Sequence, residues 1–175
     1  MTSSARRGTV AAPVTPDDVV RHLGDGSDVI VPVANGEPVT LLDAIERHAA
    51  GLDGVRVHQM HALHDRAYLA GAYGDRLRHV SYFLSHVTRP HFHAGTIDLV
   101  PNNFSEMRDL LRVATTDPLV VATASPPDRH GYFSLGLNAD YVASFIGRAR
   151  FFLEANRRVP RTFAQRIRRK TWRGG

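Results

Sequence analysis

The chain has 175 residues, 43% of them hydrophobic and 22% charged, with no cysteine and a net charge of +5. That length suits one domain with a real core; the missing cysteine excludes a disulfide framework and a thiolate zinc site, and no apolar run reaches the ~20 residues that cross a bilayer. Five basic side chains and no acid fall in residues 164–175, which accounts for the whole net charge, so the neutral body argues against a nucleic-acid-binding domain.

Residues 1–14 are small and polar, lack the apolar stretch of a secretory signal, and are expected to be flexible, with the cytoplasm as the expected location. Thr15-Pro16-Asp17-Asp18 predicts a helix start, with a capping threonine, proline in the first turn and two acids at the positive end of the dipole. Asp28 to Val33 is a β-branched run of the buried-strand kind, weakened at Pro32. A turn at 34–38 follows, and then Leu41, Leu42, Ile45 and Ala49 recur at helical spacing up to Gly51, which is placed to end the helix as its C′ residue. Val55 to Met60, Arg78 to Leu84 and Ile97 to Val100 read as further strands. Asn103 or Ser105 caps a helix through Met107, Leu110, Leu111 and Val113. Leu119 to Ala124 is the strongest strand; a long turn, Ser125 to Gly136, leads to a helix carrying Tyr141, Val142, Phe145 and Ile146 on one face, and Arg150 to Glu154 is a last strand. Such alternation predicts a mostly parallel α/β sheet with helices on both faces. Ligands of such sheets bind at the carboxyl ends of the strands, which directs attention to the turns at 35–38 and 125–136.

The run Ser125-Pro126-Pro127-Asp128-Arg129-His130-Gly131-Tyr132-Phe133-Ser134-Leu135-Gly136 resembles the signature of the acetyl-CoA hydrolase/transferase family, which includes 4-hydroxybutyrate and succinate/acetate CoA-transferases. Gly36-Glu37-Pro38, Gly95 to Pro101, Asn138-Ala139-Asp140-Tyr141 and Pro160-Arg161-Thr162-Phe163 resemble other family segments in the same order. The likeness covers residues 15–163 and implies the three-layer α/β/α fold of a CoA-transferase N-terminal domain. It also implies acyl-CoA and a small carboxylic acid as substrates, with no tightly bound cofactor. In the family a glutamate attacks the thioester, but it belongs to a second half that this sequence does not match. No catalytic residue is therefore assigned here; inactivity alone, and association with a partner chain carrying that half or as a homodimer, are expected. Val33-Ala34-Asn35-Gly36 is poorer in glycine than the family's first turn. Family likeness, charge balance and arginine density all break at Phe163, which predicts a disordered basic tail over 164–175, translated out of frame.

Candidate pocket residues are Asn35, Gly36 and Glu37 on the first turn and Ser125, Asp128, His130 and Ser134 on the second. Backbone N–H groups and an amide could meet a carboxylate there. The plainer readings are a left-handed turn that needs glycine, and a second loop that only braces the two halves together, with Asp128 or Ser134 bonded to its backbone. His58, His61 and His64, and the pair His91 and His93, raise metal binding as an alternative, though no His-Glu-x-x-His is present. Arg166 to Arg173 with Trp172 raise nucleic-acid binding by the tail as another.

Overall fold

In the computed structural model, residues 14–163 and 166–168 are described. Thr15 opens a 3-10 helix over Pro16–His22, its backbone N–H and hydroxyl both donating to Asp18 Oδ2 at 2.8 and 2.9 Å. Strand β1, Asp28–Val31, stops before Pro32, as a residue without an N–H should stop a ladder. Helix α1 (Val39–Arg47) follows, then β2 (Val55–Gln59), β3 (Leu77–Ser81), the short α2 (Thr88–His93) and β4 (Asp98–Leu99). Asn103 and Glu106 form a capping box before α3 (Met107–Ala114). Then come β5 (Leu119–Ala124), β6 (Tyr132–Ser134), β7 (Arg150–Ala155) and β8 (Arg166–Arg168).

Six strands make one parallel sheet in the order β4-β3-β2-β1-β5-β7. Alternation along each strand divides the core in two. Val29, Val31, Val57, Leu77, Leu119 and Val121 pack with Leu41, Leu42 and Ile45 of α1 on one face. Ile30, Val80, Val120 and Ala122 pack with Met107 and Leu111 of α3 and with Val142 and Phe145 on the other. The expected three-layer α/β/α arrangement is therefore present. The chain runs outward from β1 to β4, then returns beneath the sheet to β5, so its direction of travel reverses between β1 and β5.

Four local expectations change. Helix α1 ends at Arg47, four residues before Gly51, which sits in a separate 3-10 turn over Ala49–Gly51. Tyr141–Phe145 is a 3-10 helix, cut short as the chain enters the left-handed conformation at Gly147 (φ 78°). The long turn at 125–136 contains strand β6. Arg166–Arg168, counted from sequence within an unstructured tail, pairs antiparallel with β6, and Ile167 packs against the second core; residues 164–165 and 169–175 lie outside the described set. No helix among the described residues is long and apolar enough to cross a membrane.

Candidate functional site

The strand order reverses between β1 and β5, and the two turns the sequence singles out lie at the carboxyl-end junction where sheets of this kind bind ligands. The chain fills much of that junction itself. Asp140 Oδ2 accepts the Val33 N–H at 2.8 Å and Oδ1 accepts that of Val142 at 2.9 Å. The Tyr141 hydroxyl donates to Val31 O at the end of β1 and accepts the Met60 N–H at 3.3 Å. Thr123 of β5 donates to the Glu37 carbonyl at 3.2 Å, which ties the first turn to the neighbouring strand.

The first turn differs from the plain left-handed reading. Ala34, not Gly36, takes the left-handed conformation, with φ 47°. Gly36 is needed for closeness: a Cβ there would lie 2.5 Å from Pro32 Cβ and 2.9 Å from Asn138 Cγ. Asn35 is exposed. Glu37 turns inward, its side chain only 1% exposed, and accepts from Arg66 Nε at 3.2 Å, Leu63 N at 3.2 Å and Gln59 Nε2 at 3.3 Å, with His64 Nδ1 at 3.3 Å. Arg66, 4% exposed, also reaches Asp43 at 2.8 Å and Glu46 at 3.5 Å. Glu37 thus clamps the loop after β2 onto the turn after β1.

On the second turn, Asp128 Oδ1 accepts the N–H groups of Tyr132 and His130 at 2.9 Å each. Those bonds, with the Arg161 guanidinium 3.3 Å from Oδ2, hold its carboxyl below the usual carboxylate range. The Ser125 hydroxyl accepts from Ser134 N and from Arg161 Nη1, both at 3.1 Å. Arg161 donates further to Pro126 O at 2.8 Å and to Tyr132 O at 3.2 Å. Ser134 Oγ accepts the N–H groups of Gly136 at 3.1 Å and Thr162 at 3.2 Å. His130 is exposed beside Arg129, which donates to its Nε2 at 3.1 Å. Of the seven candidates, Asn35 and His130 face solvent, while Gly36, Glu37, Ser125 and Ser134 are buried and engaged with the protein, as is half-buried Asp128. Sequence reasoning passed over Arg66 and gave Arg161 no role. The signal for Arg161 was present, since its Pro-Arg-Thr run was read as a family segment and is the run that binds the Ser-Pro-Pro-Asp turn.

The histidines disperse. His58 bonds Tyr82 and Asp28, both at 3.0 Å; His61 stacks on Phe83; His91 bonds Asp65 at 2.9 Å. Among the described residues no group of three or more His, Cys, Asp or Glu side chains is arranged to hold a metal ion.

Two groups outside these turns, fully buried His79 and half-buried Asp140, are shifted in opposite directions. His79 in β3 is fully buried, stacks on Tyr68 with ring centroids 5.9 Å apart, and has no hydrogen-bond partner on either nitrogen among the described residues. Burial pushes it down from 6.5 to about 3, whereas burial pushes Asp140 up from 3.8 to about 6. As pH falls from 6.5 toward 3, the unfolded chain protonates its imidazole first, so His79 costs stability in that window. As pH rises from 3.8 toward 6, the unfolded chain ionises its carboxyl first, so Asp140 costs stability in the opposite direction. The wild type is expected to change little between pH 4 and 6. His79→Leu should leave stability falling with rising pH there, and Asp140→Asn should leave it falling with acid, each by about 1–3 kcal/mol. Urea midpoints across the range check both slopes.

Residues 12–164 match the family model described as acetyl-CoA hydrolase/transferase N-terminal domain. The chain is 31% identical over 157 residues to a succinyl-CoA:cyclohexane-1-carboxylate CoA transferase of Geobacter metallireducens, covering 89% of this chain and 35% of that protein. It is 30% identical over 152 residues to a 4-hydroxybutyrate coenzyme A transferase of Clostridium kluyveri, covering 85% and 35%. It therefore spans about a third of the length of these curated relatives. RipA from Yersinia pestis superposes with a TM-score of 0.79 at 30% identity, over 89% of this chain and 39% of that one. A 4-hydroxybutyrate CoA-transferase of Porphyromonas gingivalis, at 22% identity and a TM-score of 0.68 over 87% and 35%, shares the fold.

Proposed function

The chain belongs to the acetyl-CoA hydrolase/transferase family, which it represents by the N-terminal domain, and from that premise we propose that it serves an enzyme moving coenzyme A between an acyl-CoA thioester and a small carboxylic acid. The observation that carries the reading is the reversal between β1 and β5, whose carboxyl ends are joined by the segments that resemble the family and would form a substrate crevice. Within it the domain extending from residue 15 to residue 163 forms one wall. Asn35 and His130 are the side chains free to meet substrate, and Glu37, Arg66 and Arg161 act as positioning residues that hold the two turns in place.

The same reading makes the chain inactive by itself. Thioester exchange needs a carboxylate nucleophile and oxyanion donors. Two carboxylates stand at this junction, and both are engaged: Glu37 by Arg66, Gln59 and the Leu63 N–H, and Asp140 by the Val33 and Val142 N–H groups, so neither can attack a thioester without leaving its partners. The second half of the site comes from outside this sequence, from a partner chain or a continuation. Phe83, Phe104 and Leu137, which are 49, 54 and 74% exposed, follow β3, β4 and β6 and would be covered by it. Self-association of the isolated chain is expected on the same ground. The test is exchange of CoA between acetyl-CoA and succinate. The 175-residue chain should give none. Adding the C-terminal half of a relative should restore turnover, and Asn35→Ala and His130→Ala should then lower it. Turnover by the chain alone, or none in the reconstituted pair, would overturn the proposal.

A further inference from the structure

The β6–β8 ribbon carries an unneutralised cationic face. Its register places Arg168 opposite Tyr132 and Arg166 opposite Ser134, while Ile167 faces the core. Both guanidiniums lie against the Tyr132 ring, 5.4 and 5.7 Å from its centroid. The turn that begins the ribbon carries exposed Arg129 and His130 just before Tyr132 in sequence, with Arg129 Nε donating to His130 Nε2. The acid of that turn, Asp128, is already committed to Arg161 and to two backbone N–H groups. Among the described residues neither Arg166 nor Arg168 makes an ion pair. The rest of the chain holds no Asp or Glu that could supply one: residues 1–13, 164–165 and 169–175 contain none. Two guanidiniums therefore lie on one aromatic ring, a third cation and an imidazole stand in the adjoining turn, and Arg166 and Arg168 have no Asp or Glu of their own.

We propose that this face binds a phosphorylated nucleotide, its phosphates held by Arg129, Arg166 and Arg168 and its base stacked on Tyr132 or on a guanidinium plane. Guanidinium forks match phosphate oxygens bidentately, and an aromatic ring takes any base. The ribbon has three residues per strand and presents one ring. A single-stranded nucleic acid is held by a groove with successive rings, so the face fits one nucleotide rather than a polymer. Under the family reading that nucleotide is the 3′,5′-phosphorylated end of coenzyme A. This identification rests on that reading, whereas the phosphate site itself rests on the ribbon alone.

The experiment is calorimetric titration of the full chain with 3′,5′-ADP, with coenzyme A and with an oligothymidine, at low and at moderate salt. Both small ligands should bind, and more weakly as salt rises. Arg166→Glu/Arg168→Glu and, separately, Arg129→Glu should each weaken binding about tenfold or more, with the far-UV circular dichroism of the folded chain retained. Tyr132→Leu should weaken it less. The proposal is overturned if 3′,5′-ADP does not bind, if binding survives both charge reversals, or if the oligothymidine binds more tightly than either small ligand. Binding of 3′,5′-ADP with no exchange activity in the reconstituted pair would uphold the phosphate site and sink the enzymatic proposal. Exchange activity without 3′,5′-ADP binding would do the reverse.

Discussion

Replacing Arg66 with methionine is expected to destabilise the fold by about 3–5 kcal/mol, the usual cost of stripping one partner from a buried ion pair. Glu37 would remain in place with its side chain 1% exposed, keeping hydrogen bonds from Leu63 N and Gln59 but losing its only buried cation. Asp43 and Glu46, which reach Arg66 from α1, would be left facing that carboxylate. His64, 54% exposed, is the other side chain that reaches Glu37 and is too solvated to replace a buried guanidinium. Because the loss comes from the orphaned charge, Glu37→Gln in the same chain should recover at least half of it. Chemical denaturation of the two single variants and the double variant measures this coupling. A double variant no more stable than Arg66→Met alone would show that Arg66 contributes through packing, not charge.

Gly136→Ala should be as damaging for a different reason. The backbone there has φ 63°, which costs a residue with a Cβ about 1–2 kcal/mol. The added Cβ would lie 2.4 Å from Val159 Cγ1 and 2.9 Å from the Pro160 carbonyl oxygen. The valine could rotate, but the carbonyl is backbone and sits next to Arg161, whose bonds hold the second turn. A total near 3 kcal/mol or more is expected. Gly131→Ala is the control: it shares the left-handed conformation (φ 80°) but has open space where the Cβ would be, so it should cost only the conformational part. Equal losses in the two variants would refute the close-approach argument.

What the sequence made legible follows from where the physics is local. Val29-Ile30-Val31 and Leu119 to Ala124 could be read as central strands because a strand buried on both faces must be apolar throughout. The Asn103–Glu106 capping box could be read because it closes within one turn. The inward turn of Glu37 could not, since its partner Arg66 lies 29 residues away in a loop with no periodicity. The ribbon strand at Arg166–Arg168 was hidden because Arg-Ile-Arg alternates correctly for a strand with one buried side, yet in composition it matches a solvated tail. The two turns at the β1–β5 junction were found through strand topology and family likeness together. Which of their side chains face solvent depended on hydrogen bonds to residues some 30 to 100 positions away.

The reversal between β1 and β5 also sets the order in which the domain can be assembled. Val29 pairs with Val57 on one side and with Leu119 on the other. One edge of β1 can close after fewer than thirty residues, while the other waits for roughly ninety. At about 5–20 residues per second of synthesis, the apolar edge Val29-Ile30-Val31 stays unpaired on the ribosome for on the order of 3–12 seconds after its first partner has emerged. A nascent chain in that state has β1 to β4 joined and one open, uncharged edge, the geometry that recruits other strands. Chaperone demand should therefore peak while α3 is being translated and fall once β5 is released.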